Sequence, residues 1–200
     1  MTQLDPLPIA QCGDPVLRGQ SAPVDPAELG SEALLQLVEH MRVTMDAAPG
    51  VGLAAPQVGV PIQLAVLYDG PDRWSRLTAE ETNERERTEL PFTVLVNPAV
   101  ESIEDAGKAT FFEGCLSVPG LTGAVERHRS IRVRALDEYG SPINRVFTGW
   151  PARIVQHEVD HLNGKLYLDS VKTRSLSTTD NYSRLWAGKQ TAEAAETLGF

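Results

Sequence analysis

Gln156-His157-Glu158-Val159-Asp160-His161 holds two of the chain's four histidines, four residues apart, with a glutamate directly after the first. On an α-helix, residues 157 and 161 stand about one turn apart on one face, so both imidazoles can reach one metal ion. Glu158 points to the side of that face, close enough to act on a water held by the metal without ligating it. This is the H-E-x-x-H arrangement of metallohydrolases. The same pattern also arises on amphipathic helices whose histidines are only solvated or core residues. Helix is supported locally: Trp150, Ile154, Val155, Val159 and Leu162 supply apolar positions, Pro151 suits a first turn, and Asn163-Gly164 suits a stop.

Strand-like segments lie upstream at residues 62–68 and 93–96, then at about 99–104, 109–112, 122–128, 130–137 and 143–149. Ile131-Arg132-Val133-Arg134-Ala135-Leu136 alternates most cleanly and runs into the turn Asp137-Glu138-Tyr139-Gly140. Such an order suggests antiparallel hairpins. Before them, a helix is expected from about Ser31 to Ala48, with Ser31 as cap, Leu34, Leu35, Leu37, Val38, Met41, Val43 and Met45 giving an inward stripe, and Pro49-Gly50 ending it. The expected fold class is therefore α+β: antiparallel β-sheets packed around a central metal-binding α-helix, with an N-terminal helix.

Two hundred residues suit one domain, 1–200. Residues 7–30 read as an irregular, proline-interrupted arm, about 69–91 as a charge-rich exposed insertion, partly helical or mobile, and about 172–200 as a peripheral tail. Within and before that tail, 165–171 reads as a short strand, 175–180 as a linker and 182–198 as a weak helix. A net charge of -9 argues against a nucleic-acid surface, which needs concentrated Lys and Arg. No apolar run approaches membrane-spanning length, and Met1-Thr2-Gln3-Leu4-Asp5-Pro6 has neither the basic start nor the apolar core of an export signal, so a cytoplasmic chain is expected.

In that compartment Cys12 and Cys115 are expected as thiols, each a small buried group or a ligand. Cys12 is read as structural, as is His40 within the N-terminal helix. Catalytic zinc-type sites take three protein ligands and leave one position to water. No third histidine follows His161, and the next glutamate, Glu193, lies far out in the tail. Glu113-Gly114-Cys115-Leu116-Ser117 offers a cysteine between two strands, and its thiolate beside two imidazoles makes a compact site. The alternative for Cys115 is a buried thiol at a strand end. Upstream, Gly50-Val51-Gly52-Leu53-Ala54-Ala55-Pro56-Gln57-Val58-Gly59 concentrates small residues that let a backbone run close to a ligand or strand. It lacks the Gly-Lys-Ser/Thr ending of a phosphate loop.

Together, Gly50-Val51-Gly52-Leu53-Ala54-Ala55-Pro56-Gln57, Glu113-Gly114-Cys115-Leu116-Ser117 and Gln156-His157-Glu158-Val159-Asp160-His161 closely resemble the three signature motifs of the peptide deformylase family, in the family's order. Asp14-Pro15-Val16-Leu17-Arg18 resembles its N-terminal segment, so the resemblance spans roughly residues 10–170. It implies hydrolysis of the formyl group from N-terminal formylmethionine of new polypeptides, releasing formate. It further implies one divalent metal ion held by Cys115, His157 and His161. Cys and His alone suggest Zn2+; the family suggests Fe2+, with Zn2+ or Ni2+ able to occupy the site.

On this resemblance, hydroxide formed from metal-held water attacks and Glu158 is general base and acid. The Gln57 amide and the Leu116 N–H stabilise the oxyanion. Gly52 and Gly114 are candidates to offer backbone groups to the substrate, and Val51, Trp150 and Ile154 to form the methionine pocket. Arg127 and Asp160 are either a pair behind His161 that orients the ligand helix or two surface charges. The partners implied are N-formylmethionyl peptides, with no membrane and no sequence-specific nucleic acid. The insertion and tail are left open between capping the cleft, contacting the ribosome near the exit tunnel, and neither. Two competing classes are an endopeptidase with another third ligand, and a non-catalytic relative keeping the metal for stability. The second would need a fourth protein ligand and no Glu158.

Overall fold

The computed structural model describes residues 4–74 and 77–200. Residues 1–3, part of the segment read above for an export signal, and residues 75–76 of the insertion lie outside it. In chain order the elements are α1 (Glu32–Ala47), β1 (Gly52–Ala54), β2 (Leu64–Asp69), α2 (Ala79–Glu84), β3 (Leu90–Ser102), β4 (Lys108–Cys115), β5 (Val118–His128), β6 (Ser130–Leu136), β7 (Pro142–Thr148), α3 (Trp150–Leu162), β8 (Ser177–Thr178), α4 (Thr179–Leu185) and α5 (Thr191–Leu198). All strand pairs within the two sheets are antiparallel, in the orders β1-β2-β3-β6-β7 and β4-β5-β8.

β2 shows why the larger sheet needs a helix on each face. Leu64 and Val66 join Val38, Met41 and Met45 of α1 in one cluster. Leu67 meets Ile154 and Val155 of α3 in a second, and Ala65 meets Leu162 in a third. Alternate side chains thus leave opposite faces, and because both are covered the strand is apolar from Leu64 to Leu67. Each such leucine or valine contributes roughly 1.5–3 kcal/mol by leaving water. α3 also touches β5 of the smaller sheet, so the helix lies where the two sheets meet. Its two ends are fixed by glycines with positive φ, Gly149 before Trp150 and Gly164 after Asn163. A Cβ on either would strike backbone, of Glu86 or of Arg18 respectively, which only glycine avoids.

Several boundaries differ from expectation. Residues 93–96 and 99–104 belong to one strand, β3, which ends at Ser102 and bulges at Asn97 (φ 51°), where the register to β6 shifts. The Asn97 side chain there accepts the Val24 N–H and donates to the Val24 carbonyl, tying down the N-terminal arm. Residues 165–171 form a 3-10 turn (Tyr167–Asp169), not a strand; only Val171 bridges β5. The cause is burial of adjacent Leu166 and Tyr167 in the same cluster, which an alternating strand cannot achieve. The supposed linker 175–180 contains buried Ser175, β8 and the start of α4, while 182–198 is two helices, α4 and α5, rather than one. The stretch 69–91 is partly helical as expected, yet it is not simply exposed: Asp69, Glu81 and Leu90 are buried, and several of its charged groups have partners within the protein. Arg87 makes two bonds to Asp69, at 2.6 and 2.8 Å, and Glu81 accepts the Gly188 N–H of the tail at 3.1 Å. Cys12 is exposed, so it is not a buried packing group, and among the described residues it belongs to no cluster that could hold a metal.

Candidate active site

Burial of Ile154 and Val155 against the larger sheet turns the other side of α3 toward β4, and His157 and His161 lie there with ring centroids 5.2 Å apart. Cys115, the last residue of β4, brings its Sγ to 3.2 Å from His161 Nε2. One donor atom from each of Cys115, His157 and His161 falls within 4.8 Å of the others. A soft thiolate and two imidazoles at that spacing fit a divalent transition-metal ion.

Glu113 organises the second layer. Its carboxylate accepts Arg127 Nε at 2.6 Å, Arg127 Nη2 at 2.9 Å and Arg153 Nη1 at 2.6 Å, and it meets His157 Nδ1 at 2.9 Å. With Nδ1 donating to a carboxylate, His157 is left with its Nε2 lone pair for a metal. Arg127 also donates from Nη1 to Asp160 at 2.8 Å, so these two charges are paired, but the chain of contacts ends on His157 through Glu113 rather than on His161. Burial opposes the charge on Glu113; Arg127 and His157 overcome it and hold the carboxyl far below its usual range. Burial would likewise lower His157, yet Cys115 and Glu113 beside it raise it well above an ordinary histidine. Groups that attract a proton so strongly at this position attract a metal cation for the same reason. Burial, with the positive charges of His157 and Arg127, pushes His161 well down and keeps it neutral, the form a ligand needs.

Glu158 is buried, and its Oε2 has no hydrogen-bond partner among the described residues. Burial pushes its carboxyl up to about 7, against the opposing charges of His157 and Arg127. Space for it comes from Gly52, where a Cβ would lie 2.3 Å from Glu158 Oε1. Gln57 is fixed at both ends: Oε1 accepts the Ala54 N–H at 2.8 Å, and Nε2 donates to Ser117 Oγ at 3.2 Å while lying 3.6 Å from Cys115 Sγ. Leu116 occupies the short turn between β4 and β5. From behind, the N-terminal arm stitches these pieces together. Ala10 N–H donates to Gln57 O at 2.8 Å, Gln11 Nε2 to Leu116 O at 3.2 Å and Cys12 N–H to Ser117 O at 2.7 Å.

A cavity of about 640 Å³ opens over this centre. Val51, Gly52, Gln57, Gly114, Cys115, Leu116, Trp150, Ile154, His157 and Glu158 all border it, while His161 lies behind, 1% exposed. The structure thus brings every candidate residue to one place. It adds Glu113 and Arg153, to which no role was assigned. Glu113 carried a signal, since two residues before Cys115 on a strand puts it on the same face. Arg85, Thr179 and Tyr182, from the insertion and tail, also line the cavity, and no local pattern marked them.

Comparison with known proteins gives a consistent result. The family model described as polypeptide deformylase matches residues 6–176. Peptide deformylase 1 of Streptomyces coelicolor is 50% identical over 195 residues, 98% of this chain and 87% of that one. The mitochondrial peptide deformylase of Homo sapiens is 38% identical over 169 residues, 84% of this chain and 69% of that one. Among solved structures, the Met-Ala-Ser-bound class I type b peptide deformylase of Acinetobacter baumannii aligns with a TM-score of 0.74 at 38% identity, covering 84% of this chain and 100% of that one.

Proposed function

The chain belongs to the peptide deformylase family and is an enzyme of that class, and from that premise we propose how its cleft removes the formyl group from N-terminal formylmethionine of newly made polypeptides. The observation that carries the proposal is the convergence of Cys115, His157 and His161 beside a buried carboxylate, Glu158, with an unpartnered oxygen. The three ligands would hold one divalent ion, Fe2+ by family resemblance, with Zn2+ or Ni2+ as substitutes. When bound, such an ion polarises the formyl oxygen and lowers the pKa of a water it holds.

Glu158 takes a proton from the attacking water and returns it to the amine nitrogen as the C–N bond breaks, leaving formate and a free N-terminus. The elevated pKa of this carboxyl suits a group that must both take and give a proton near neutrality. Gln57 Nε2, held by the Ala54 N–H at its other end, and the Leu116 N–H stabilise the negative charge that develops on the formyl oxygen. Gly52 and Gly114 let the substrate main chain pass close to the backbone. Val51, Trp150 and Ile154 receive the methionine side chain, and the indole and aliphatic surfaces exclude water from it. Glu113, with Arg127 and Arg153 behind it, keeps His157 aimed. That substrate places the enzyme in the cytoplasm among new chains, as one catalytic unit. Among the described residues no helix is long and apolar enough to cross a membrane.

The test is formate release from formyl-Met-Ala-Ser by an anaerobic preparation, with metal content measured alongside. Cys115→Ala is expected to lose both bound metal and turnover. Glu158→Ala is expected to keep fold and metal while formate release disappears; unchanged turnover in that variant refutes its role.

A further inference from the structure

Trp150, at the cleft end of α3, is surrounded by guanidinium groups: Arg85, Arg87 and Arg153 lie 5.0, 5.4 and 5.9 Å from its ring centroid. Two of the three are neutralised, Arg87 by Asp69 and Arg153 by Glu113. Arg85 has no carboxylate partner among the described residues, although the chain carries 27 acidic residues against 18 basic. Three glutamates flank it in sequence, and all are engaged elsewhere. Glu81 accepts the N–H groups of Thr78 and Gly188, Glu84 accepts that of Thr191, and Glu86 pairs with Arg129. Among the described residues the only side-chain hydrogen bond of Arg85 is a long one, 3.4 Å, to the Tyr182 hydroxyl of α4. Among the described residues neither its buried Nε nor Trp150 Nε1 beside it has an acceptor. Both Arg85 and Tyr182 border the cavity.

A guanidinium that borders a cavity without a carboxylate partner still has donors to offer there, and its planar fork is shaped for a carboxylate. We propose that Arg85, steadied by Tyr182 and the Trp150 ring, is a specificity-determining residue that binds a carboxylate of the substrate downstream of formylmethionine. The distance is suitable. Trp150 precedes His157 by seven residues, roughly 10 Å along α3. An extended peptide covers about 3.3–3.6 Å per residue, so its second and third residues pass this point while the formyl group sits at the metal ligands. The carboxylate can come from an Asp or Glu side chain or from the C-terminus of a short peptide. Either source presents the same pair of acceptor oxygens. The proposal rests on the deformylase reading and names the substrate class that its cleft favours.

The test compares formyl-Met-Ala-Ser-amide with formyl-Met-Glu-Ser-amide, formyl-Met-Lys-Ser-amide and the free acid formyl-Met-Ala-Ser, in the wild type, Arg85→Gln and Arg85→Glu. In the wild type the Glu peptide is expected to exceed the neutral amide about tenfold in kcat/KM, through KM, with the Lys peptide lowest. A gain in the free acid as well shows that the C-terminal carboxylate is also accepted. R85Q is expected to abolish the ranking, and R85E to reverse it in favour of Lys, which damage to the fold would not do. Absence of a ranking in an active wild type, an unchanged ranking in R85Q, or equal losses on all four peptides overturns the proposal. Formate from none of the peptides in the metal-loaded wild type overturns the deformylase reading itself, and Arg85's role with it.

Discussion

Gly52 has no room for a side chain, because the Glu158 carboxylate fills the place a Cβ would take. Gly52→Ala is therefore expected to displace that carboxylate by about 1 Å and lower kcat on the order of 10²-fold, with metal content unchanged by atomic absorption. Glu113 stands at the opposite extreme, a single carboxylate serving two buried guanidiniums and an imidazole. Glu113→Gln leaves two cations short of their partner, and loss of a buried pair costs about 3–5 kcal/mol. Thermal unfolding should show that loss, and metal affinity should fall roughly 10–100-fold as His157 loses its anchor. At this scale the convergence of Cys115, His157 and His161 was legible in sequence because the two histidines share one helix face and the cysteine stands at a strand end. Arg153 was not. A charged residue on the buried side of an amphipathic helix looks like an error of pattern until the carboxylate from β4 is seen to meet it.

At the scale of elements, local chemistry sets boundaries and tertiary contacts override propensity. The turn between β6 and β7 was read correctly from Asp137-Glu138-Tyr139-Gly140, and the reason is visible: Asp137 Oδ1 accepts the N–H groups of Tyr139 and Ser141 at 2.9 and 2.7 Å. Burial is the largest single influence and raises the Asp137 carboxyl, but the N–H groups of Ser141, Tyr139 and Gly140 together with the Ser141 hydroxyl outweigh it and hold the pKa below its usual value. A folded-state pKa below the unfolded one means stability that is present above pH ~4 and lost as pH falls through the folded value. Asp137→Ala is expected to cost about 1 kcal/mol at neutral pH in urea unfolding, and the variant and parent should converge in acid. The segment 165–171 escaped prediction because two neighbouring apolar residues can signal either a strand or a turn buried whole. α3 was easier: besides its glycine ends, Gln156 clamps it to the end of β5, donating to His128 O at 2.9 Å and accepting His128 N–H at 3.1 Å.

Across the whole molecule, the sequence indicated antiparallel sheets around a helix but not which strands share a sheet. β3 pairs with β6 across the intervening β4–β5 hairpin, and β5 pairs with β8 after α3, so partners are separated by long stretches of chain that periodicity does not report. The cleft shows the same limit. Its floor comes from the three motifs, whereas Arg85 and Tyr182 reach it only because α2 and α4 fold toward each other. Long-range placement also explains how an acidic chain turns an unpaired guanidinium to its cavity: the glutamates nearest Arg85 in sequence, Glu81, Glu84 and Glu86, are engaged elsewhere.

The N-terminal arm has irregular structure, yet three consecutive residues, 10 to 12, hydrogen-bond to Gln57, Leu116 and Ser117 and, among the described residues, not to Cys115, His157 or His161. Those three residues brace the side of the cleft formed by Gln57 and Leu116. Clipping the chain after residue 13 should leave an enzyme that still loads its full complement of ion, yet turns over slowly, with KM moving far less than kcat. Proteolytic wear at that end would consequently pass unnoticed in a metal assay and be caught only by a stopwatch.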